Sequence, residues 1–387
     1  MMTTVQFAEV LVGRDSVKPH FERSEASGAS ISLVAQTHGD ARCARASFVG
    51  TQGSTESRPT LRRTTLSMWL TLYFLVASSS SAAEWVNISD AVTAQLKPGY
   101  GGPTAGVTVN PANGDVFMVV SDLGLWKSSD RAATFARVDD KNIGGRCETG
   151  WGLNFDPTGN RLFCFMIYGS SAMTTDGGKT WAKSKVSHLD YGSVDWGDTG
   201  KRVLGFRHES GGMLTTSGDG GATWKDLEKG FNNCGVFDRN TFVATKAKEK
   251  GIFRSTDAGA TWAQVFSNSP AAAVPVVFKG TGYWCDGTGI LTSTDKGATW
   301  NRSAPGSQDK PYSMVYGPMF GESEKHYVVV GRAGFLETKD GGQTFALAAP
   351  LPPGFTVNRV GANYAWDAKA DIFYASTMTK PTFKYQR

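Results

Sequence analysis

The sequence predicts an all-β protein, a seven-bladed β-propeller of four-stranded blades. An eight-residue frame occurs six times, and successive copies are 46, 43, 38, 38 and 45 residues apart. A repeat of about 40 residues is typical of solenoids and propellers. A seventh unit without the frame follows the sixth copy, and a segment before the first copy can complete it. The aspartates of the six frames are Asp130, Asp176, Asp219, Asp257, Asp295 and Asp340.

The frame reads Ser/Thr-x-Asp-x-Gly-x-Thr-Trp/Phe, as in the copy from Ser255 to Trp262. Ser, Thr and Asp side chains hydrogen-bond to nearby backbone amides, and the glycine tolerates a positive φ. Each frame therefore predicts a tight turn. The Thr-Trp pair is expected to open a strand, with the aromatic ring packed between neighbouring sheets.

This pattern resembles the Asp-box, or BNR repeat, of the sialidase-like and xyloglucanase-like β-propellers. In that superfamily the box lies on the outer rim of each blade, so the resemblance implies a structural role for the boxed aspartates. Sialidases carry an arginine in a Phe/Tyr-Arg-Ile-Pro motif before the first box. Residues 84–130 contain no arginine, which argues against a standard sialidase.

The chain divides into three parts. Residues 1–61 are polar without a sustained apolar period, which predicts a disordered or spurious extension. Residues 62–83 combine two arginines, the apolar run 69–77 and small residues, which predicts a signal peptide cleaved near Ala83. The apolar run is too short to span a membrane, which needs about 20 residues. We therefore expect a secreted or periplasmic protein without stable membrane insertion, with 84–387 as a single propeller.

The charge of the chain argues against one class of function, and its cysteine content bears on disulfide bonding. The chain has 40 basic and 35 acidic residues, and removing the eight and six in 1–83 leaves 32 and 29. This near balance argues against nucleic-acid binding. Residues 84–387 keep four cysteines, which allows either two disulfides or buried free thiols. They are Cys147, Cys164, Cys234 and Cys285.

Each unit predicts four strands in the same order, with a turn, a polar loop and the box between them. The first strands are expected at residues 105–110, 151–155, 193–196, 235–237, 275–278, 312–316 and 364–367. The second are expected at 115–120, 161–167, 202–206, 241–245, 282–285, 326–330 and 371–376. The third are expected at 124–127, 172–174, 212–215, 251–254, 289–292, 334–337 and 382–385. Residues 84–89 are similar to the strands after the boxes, and we expect them to close the last blade, which removes the open edges.

Loops on a rigid scaffold tend to carry function. In propellers, the loops between second and third strands and the loops leading into first strands build one mouth of the channel. The catalytic candidates in these loops are His188, Asp190, Tyr191, His208, Glu209 and Asp122. The substrate-binding candidates are Tyr100, Arg146, Glu148, Tyr168, Arg207, Asp286, Arg332, Arg359 and Tyr364. The densest stretches, 187–191 and 206–209, both belong to the third unit.

Asp122 rests on a resemblance to the xyloglucanase type, whose first blade is similar to 101–111 and 121–126 here. In those enzymes a carboxylate at this position is catalytic, but its partner acid comes from a second propeller. This chain predicts one propeller only.

The candidate residues suit several chemistries. Paired carboxylates cleave glycosidic bonds, arginines hold anionic sugars, and a His with a Tyr suits β-elimination beside a uronate. The sequence thus favours an exported carbohydrate-active protein, glycoside hydrolase-like or polysaccharide lyase-like, acting on a poly- or oligosaccharide, including anionic ones. The alternative is a non-catalytic carbohydrate- or protein-binding propeller, lectin-like or similar to the Asp-box assembly factor of photosystem II. We expect a monomer, and no cofactor or metal motif is present.

Overall fold

The protein is described by a computed structural model that covers residues 84–94, 96, 106–139, 141, 143–147, 150–198, 200–302, 314–357 and 361–387. These residues form seven antiparallel four-stranded sheets, which are the blades of a seven-bladed β-propeller. The predicted fold class is confirmed.

Strands are numbered β1 to β28 along the chain. Blade 1 contains β2 to β5 (Val107–Val109, Val116–Val119, Leu125–Ser128, Ala136–Arg137). Blade 2 contains β6 to β9 (Leu153–Phe155, Leu162–Cys164, Ser170–Thr174, Ala182–Ser187). Blade 3 contains β10 to β13 (Tyr191–Val194, Val203–Arg207, Met213–Ser217, Lys225–Asp226). Blade 4 contains β14 to β17 (Phe231–Val236, Phe242–Lys246, Ile252–Ser255, Ala263–Phe266).

Blade 5 contains β18 to β21 (Val276–Phe278, Thr281–Cys285, Ile290–Ser293, Asn301–Arg302). Blade 6 contains β22 to β25 (Tyr316–Phe320, Tyr327–Gly331, Gly334–Thr338, Ala346–Pro350). Blade 7 contains β26 to β28 (Ala362–Asp367, Ile372–Thr377, Phe383–Gln386) and β1 (Trp85–Asn87). The short helices within the described ranges are α1 (Asp90–Thr93) and three single 3₁₀ turns (Ser121–Leu123, Gly150–Gly152, His208–Ser210).

Strand β1 is the outermost strand of blade 7. It pairs with β28 in antiparallel register, with Trp85 opposite Tyr385. The Trp85 ring packs 5.3 Å from Tyr385 and 5.9 Å from Phe335 of blade 6, and its Nε1 donates to the carbonyl of Pro350 at 3.1 Å. One residue thus links the first strand of the chain to two blades.

The eight-residue boxes form a closed set of local hydrogen bonds. In the copy from Ser255 to Trp262, the Ser255 hydroxyl donates to Asp257 at 2.8 Å. The Thr261 amide and hydroxyl donate to the same carboxylate at 2.9 and 2.6 Å. The Thr261 bonds lower the pKa of Asp257 to about 2. The same side-chain bonds recur in the other five boxes.

The boxes lie on one face of the ring. In blade 2, the Gly177 amide in the box donates at 2.8 Å to the Asn160 carbonyl in the turn between the first two strands. Equivalent bonds occur in blades 3, 4 and 6. We call this side, which carries the turns between strands one and two and between strands three and four, the turn face. The opposite side, with the loops between strands two and three and between blades, is the loop face.

The box aromatics connect successive blades. Trp181 Nε1 donates to the Val138 carbonyl of the preceding blade at 2.6 Å, and Trp224 Nε1 donates to the Ser184 hydroxyl at 2.9 Å. The fourth strand begins one residue after each box aromatic rather than at the Thr-Trp pair. The aromatic is therefore the last residue of the turn, where its ring can reach the neighbouring sheet.

The four cysteines of the described residues are free and buried. Burial raises the pKa of Cys147, Cys234 and Cys285 far above the usual value. Of the two alternatives left by the sequence, the structure contains buried thiols. No helix in the described ranges has the length and apolar character needed to cross a membrane.

Candidate functional site

A group of polar side chains lies on the loop face at the junction of blades 2 and 3. It is supplied by the loop leading into β6, the loop between β7 and β8, the loop leading into β10, and the loop between β11 and β12. We call this group the polar cluster. Its members are Arg146, Tyr168, His188, Asp190, His208 and Glu209.

Two histidine–carboxylate pairs connect the two blade-3 loops crosswise. His188 and Asp190 precede β10, whereas His208 and Glu209 follow β11. His188 Nδ1 lies 3.1 Å from Glu209 Oε2, and His208 Nδ1 contacts Asp190 Oδ1. The His208 backbone amide also donates to Asp190 Oδ2 at 2.7 Å. Each loop thus supplies a carboxylate that lies beside the histidine of the other loop. The Asp190–His208 contact is a hydrogen bond, whereas His188 and Glu209 are within ion-pair distance without hydrogen-bond geometry.

Tyr168 extends this arrangement into blade 2. Its hydroxyl donates to Glu209 Oε1 at 3.0 Å, and its ring meets the His188 ring edge-on at 5.3 Å. The Arg146 guanidinium lies 5.3 Å from the centre of the Tyr168 ring. Glu209 therefore contacts both a tyrosine hydroxyl and an imidazole nitrogen, which brings three ionisable groups into direct contact.

The backbone is strained at two of these positions. Tyr168 has φ +55° and His188 has φ +56°, in the left-handed region that side chains other than glycine rarely adopt. Such conformations cost of order 1–3 kcal/mol and tend to occur where function requires them. The two residues contact each other through their rings. Eight other non-glycine residues of the described chain also have positive φ, among them Ala258 and Lys296 of the boxes.

The two carboxylates of the polar cluster differ in their exposure to solvent. Asp190 is 2% exposed, and this burial raises the pKa of its carboxyl even though His208 donates hydrogen bonds to it. The side chains of Glu209 and His188 are 43% and 39% exposed. Asp190 therefore binds the His208 loop from its buried side, whereas Glu209 and His188 reach solvent.

Other candidate residues lie apart from this group. Tyr191 is buried, stacks on Phe206 at 4.7 Å, and donates its hydroxyl to the Asn232 carbonyl. Arg207 lies 3.4 Å from Asp226 of the outermost strand of blade 3.

Three more candidates are spread over blades 1, 5 and 6. Asp286 forms an ion pair with Arg302 at 2.9 Å, along the outer part of blade 5. Asp122 is exposed in a 3₁₀ turn of blade 1, and Arg332 is exposed in the β23–β24 turn. Tyr100, Glu148 and Arg359 lie outside the described residues.

Tyr364 belongs to a layer of aromatic rings that crosses the central channel. Trp151 stacks on Tyr316 at 4.6 Å, and Tyr316 meets Tyr364 edge-on at 5.2 Å. Trp151 precedes the first strand of blade 2 and Tyr316 begins that of blade 6, and these blades are not neighbours in the ring. Their contact therefore closes the channel towards the loop face.

Beyond this layer, the channel widens into a cavity of about 550 Å³ that we call the turn-face cavity. Most of its walls come from the last residues of the innermost strands and the turns that follow them. This cavity was not predicted from the sequence, although an aromatic recurs near the end of the first strand in several units. Its large aromatic lining residues are Trp151, Phe155, Trp196, Phe278, Phe320, Tyr316, Tyr364 and Trp366.

In the part of the chain that the structure describes, no three His, Cys, Asp or Glu side chains are grouped as ligands for a metal ion. The chemistry open to the polar cluster is that of its own side chains. It contains two imidazoles with a carboxylate beside each, a phenol and a guanidinium, which together suit acid–base work on an anionic substrate.

No known family profile matches this chain, and no curated protein matches it. Among solved structures, the chain is similar to YCF48 from Cyanidioschyzon merolae, at 13% identity over 79% of this chain and 99% of that one, with a TM-score of 0.47. YCF48 bound to D1 peptide gives 14% identity, coverages of 79% and 94%, and a TM-score of 0.48. The GH74 xyloglucanase from Xanthomonas campestris gives 15% identity, coverages of 72% and 57%, and a TM-score of 0.35. Similarities at this level transfer no activity, substrate or partner to the chain.

Proposed function

We propose that the chain is an exported carbohydrate-active enzyme that cleaves a uronate-containing polysaccharide by β-elimination, with the polar cluster as its site. The observation that carries the proposal is the position of Glu209, which contacts both Tyr168 Oη and His188 Nδ1. The Glu209 carboxylate lies beside Nδ1 of the His188 ring, which leaves Nε2 as the nitrogen that can face a substrate. His188 is thereby suited to act as a general base.

The burial of Asp190 favours elimination over hydrolysis. Glycosidases use two carboxyl groups that flank the scissile bond. Asp190 is 2% exposed and faces the His208 amide and imidazole, so Glu209 is the one solvent-facing carboxylate of the polar cluster. One accessible carboxylate with an imidazole and a phenol suits proton abstraction beside a carbonyl-type group better than a two-carboxylate displacement.

In the proposed reaction, the Arg146 guanidinium pairs with the uronate carboxylate and stabilises negative charge at the adjacent carbon. His188 Nε2 takes the proton from that carbon. The electron pair of the C–H bond forms a carbon–carbon double bond, and the glycosidic C–O bond breaks. The Tyr168 hydroxyl supplies a proton to the leaving oxygen, so the products are an unsaturated uronate and a new chain end.

A polysaccharide panel tests this proposal with chain 84–387 and two readouts, reducing ends and absorbance of unsaturated uronates. We expect both signals on an acidic polymer. His188→Ala should lower kcat by about 10²–10⁴-fold, the usual contribution of a general base. Reducing ends without unsaturated product would contradict elimination, and full activity of His188→Ala would contradict the site.

The matched control is His326→Ala. His326 also contacts a carboxylate, with Nε2 2.8 Å from Glu337 Oε1, but it lies in a turn of blade 6 on the turn face. This variant should retain the full kcat. An equal loss in both histidine variants would attribute the effect to folding rather than to the polar cluster.

The second candidate function is carbohydrate binding without turnover. The Tyr168 side chain is exposed, and Arg146 lies over its ring. An aromatic with a stacked guanidinium can hold an acidic sugar without cleaving it. Saturable binding of an acidic polymer that Tyr168→Ala weakens, with no new chain ends, would favour this function.

A further inference from the structure

The turn-face cavity lies at the opposite end of the channel from the polar cluster. Its volume of about 550 Å³ is in the range of small-molecule sites, which are mostly apolar with a few polar groups. One wall is aromatic, because Phe278 of blade 5 stacks face to face on Phe320 of blade 6, with the ring centres 4.2 Å apart and the rings nearly parallel. Trp151 and Tyr316 close the inner end.

One buried polar group of this cavity lacks a partner. Tyr364 is a lining residue and is 2% exposed, and its hydroxyl makes no hydrogen bond with any described residue. Buried hydroxyls in native proteins are nearly always bonded, so an exception calls for an explanation. The hydroxyl itself has almost no accessible surface, so a hydrogen-bond acceptor on a bound ligand would satisfy it once the Tyr364 ring turns towards the cavity.

One cationic side chain lies at the rim of the turn-face cavity. Among the described residues that line the cavity, Lys279 in the β18–β19 turn is the one that carries a charge. Its ammonium lies 5.2 Å from the centre of the Phe278 ring, and no described carboxylate forms an ion pair with it. A positive charge beside an apolar wall favours a ligand whose apolar body carries an anion at one end.

We propose that the turn-face cavity is a second binding site, for a small ligand with a flat apolar body and a single carboxylate. The body lies against the Phe278–Phe320 wall, the carboxylate reaches Lys279, and an acceptor atom of the ligand takes the Tyr364 hydrogen bond. A free sugar fits less well, because its hydroxyls would lose water and find few polar partners on these walls.

The ligand is unidentified, so the probe is 2-naphthoate, a planar bicyclic carboxylate, with 2-naphthamide as its neutral counterpart. Titrated into chain 84–387 by calorimetry, 2-naphthoate should bind saturably, and about fivefold more tightly than the amide, the size of an exposed ion pair. Absence of saturable binding up to the solubility limit would overturn the site. Equal affinity for both probes would overturn the anionic selectivity.

A variant that should change stability and binding in opposite directions sharpens the test. Tyr364→Phe removes a buried unbonded hydroxyl, so it should raise the Tm of the free protein while weakening 2-naphthoate about fivefold. A variant in which both quantities fall would show that the hydroxyl is bonded within the protein and would contradict its assigned role.

Lys279→Met should weaken 2-naphthoate to the affinity of the amide and leave the amide unchanged. The control is Lys248→Met, an exposed lysine of the β15–β16 loop on the loop face. Equal weakening by both lysine variants would point to net charge rather than to the cavity. Polysaccharide cleavage should be unaffected by Lys279→Met, which separates this site from the polar cluster.

Discussion

On the turn face, blades 1 to 6 repeat one arrangement of hydrogen bonds, that of the box. On the loop face, the side-chain contacts of blades 2 and 3 differ from those in the corresponding described loops of the other blades. The six boxes share the same Ser/Thr, Asp and Thr bonds, each closed within eight residues. The polar cluster instead joins side chains from separate loops, as in the bond between Tyr168 and Glu209, which are 41 residues apart.

The difference indicates that the boxes and the polar cluster serve different roles. A motif that satisfies its own hydrogen bonds stabilises each blade without help from the rest of the fold. Positive φ and a buried carboxylate occur both in the polar cluster, at Tyr168 and Asp190, and in structural turns, at Ala258 and Asp156. The polar cluster is set apart because its side chains bond to one another across separate loops. Three predictions test this contrast.

The largest effect is expected from a box aromatic. Trp300 is 5% exposed and packs 5.7 Å from Trp284 and 6.2 Å from Phe237. Trp300→Ala should lower the unfolding free energy by about 3–5 kcal/mol, as for other buried aromatics, and leave cleavage by the folded fraction unchanged. Denaturant titration measures the loss. Trp262→Ala is the comparison, because Trp262 is half-buried and should cost less.

A smaller effect on stability, with a larger effect on activity, is expected at Asp190. Asp190→Ala removes the acceptor of the His208 amide and should cost about 1 kcal/mol of unfolding free energy, the net value of one hydrogen bond. Turnover should fall more than stability, because the His208 loop also carries Glu209. Asp190→Asn keeps an acceptor and should retain more activity. Equal losses in the two variants would show that the hydrogen bond to His208 does not position the loop.

The smallest expected effect is a change in how stability depends on pH. Its sign should differ between a box on the turn face and the polar cluster on the loop face. Hydrogen bonds hold the pKa of Asp257 at about 2, below its usual 3.8, so its stabilising contribution is complete above pH 3.8 and is lost as pH falls towards 2. The pKa of Asp190 is raised, so its contribution is largest below pH 3.8 and falls as pH rises. Relative to the parent chain, Asp257→Asn should therefore lose less stability on acidification.

The matching expectation for Asp190→Asn is the reverse, a steeper loss of stability on acidification than in the parent chain. Unfolding free energies measured from pH 2 to 7 for the three proteins provide the comparison. A shift of both variants in the same direction would contradict the assigned environments.

The sequence located the polar cluster better than it assigned roles within it. The third unit stood out because His188, Asp190, His208 and Glu209 fall in two loops that flank adjacent strands. The register of β10 with β11 places those loops side by side, as expected for a hairpin. The sequence could not foresee that Asp190 is buried beneath His208, because burial depends on how the loops fold over one another.

Blade number, strand order and turn positions were determined by the sequence alone, because each box is a local motif whose residues bond to one another. The tertiary structure alone decided which distant side chains meet. Trp151 reaches Tyr316, and Tyr168 reaches Glu209, only when the blades form a ring. The aromatic layer that divides the channel, and the turn-face cavity beyond it, follow from that closure, since packing between non-adjacent blades has no signature in local sequence.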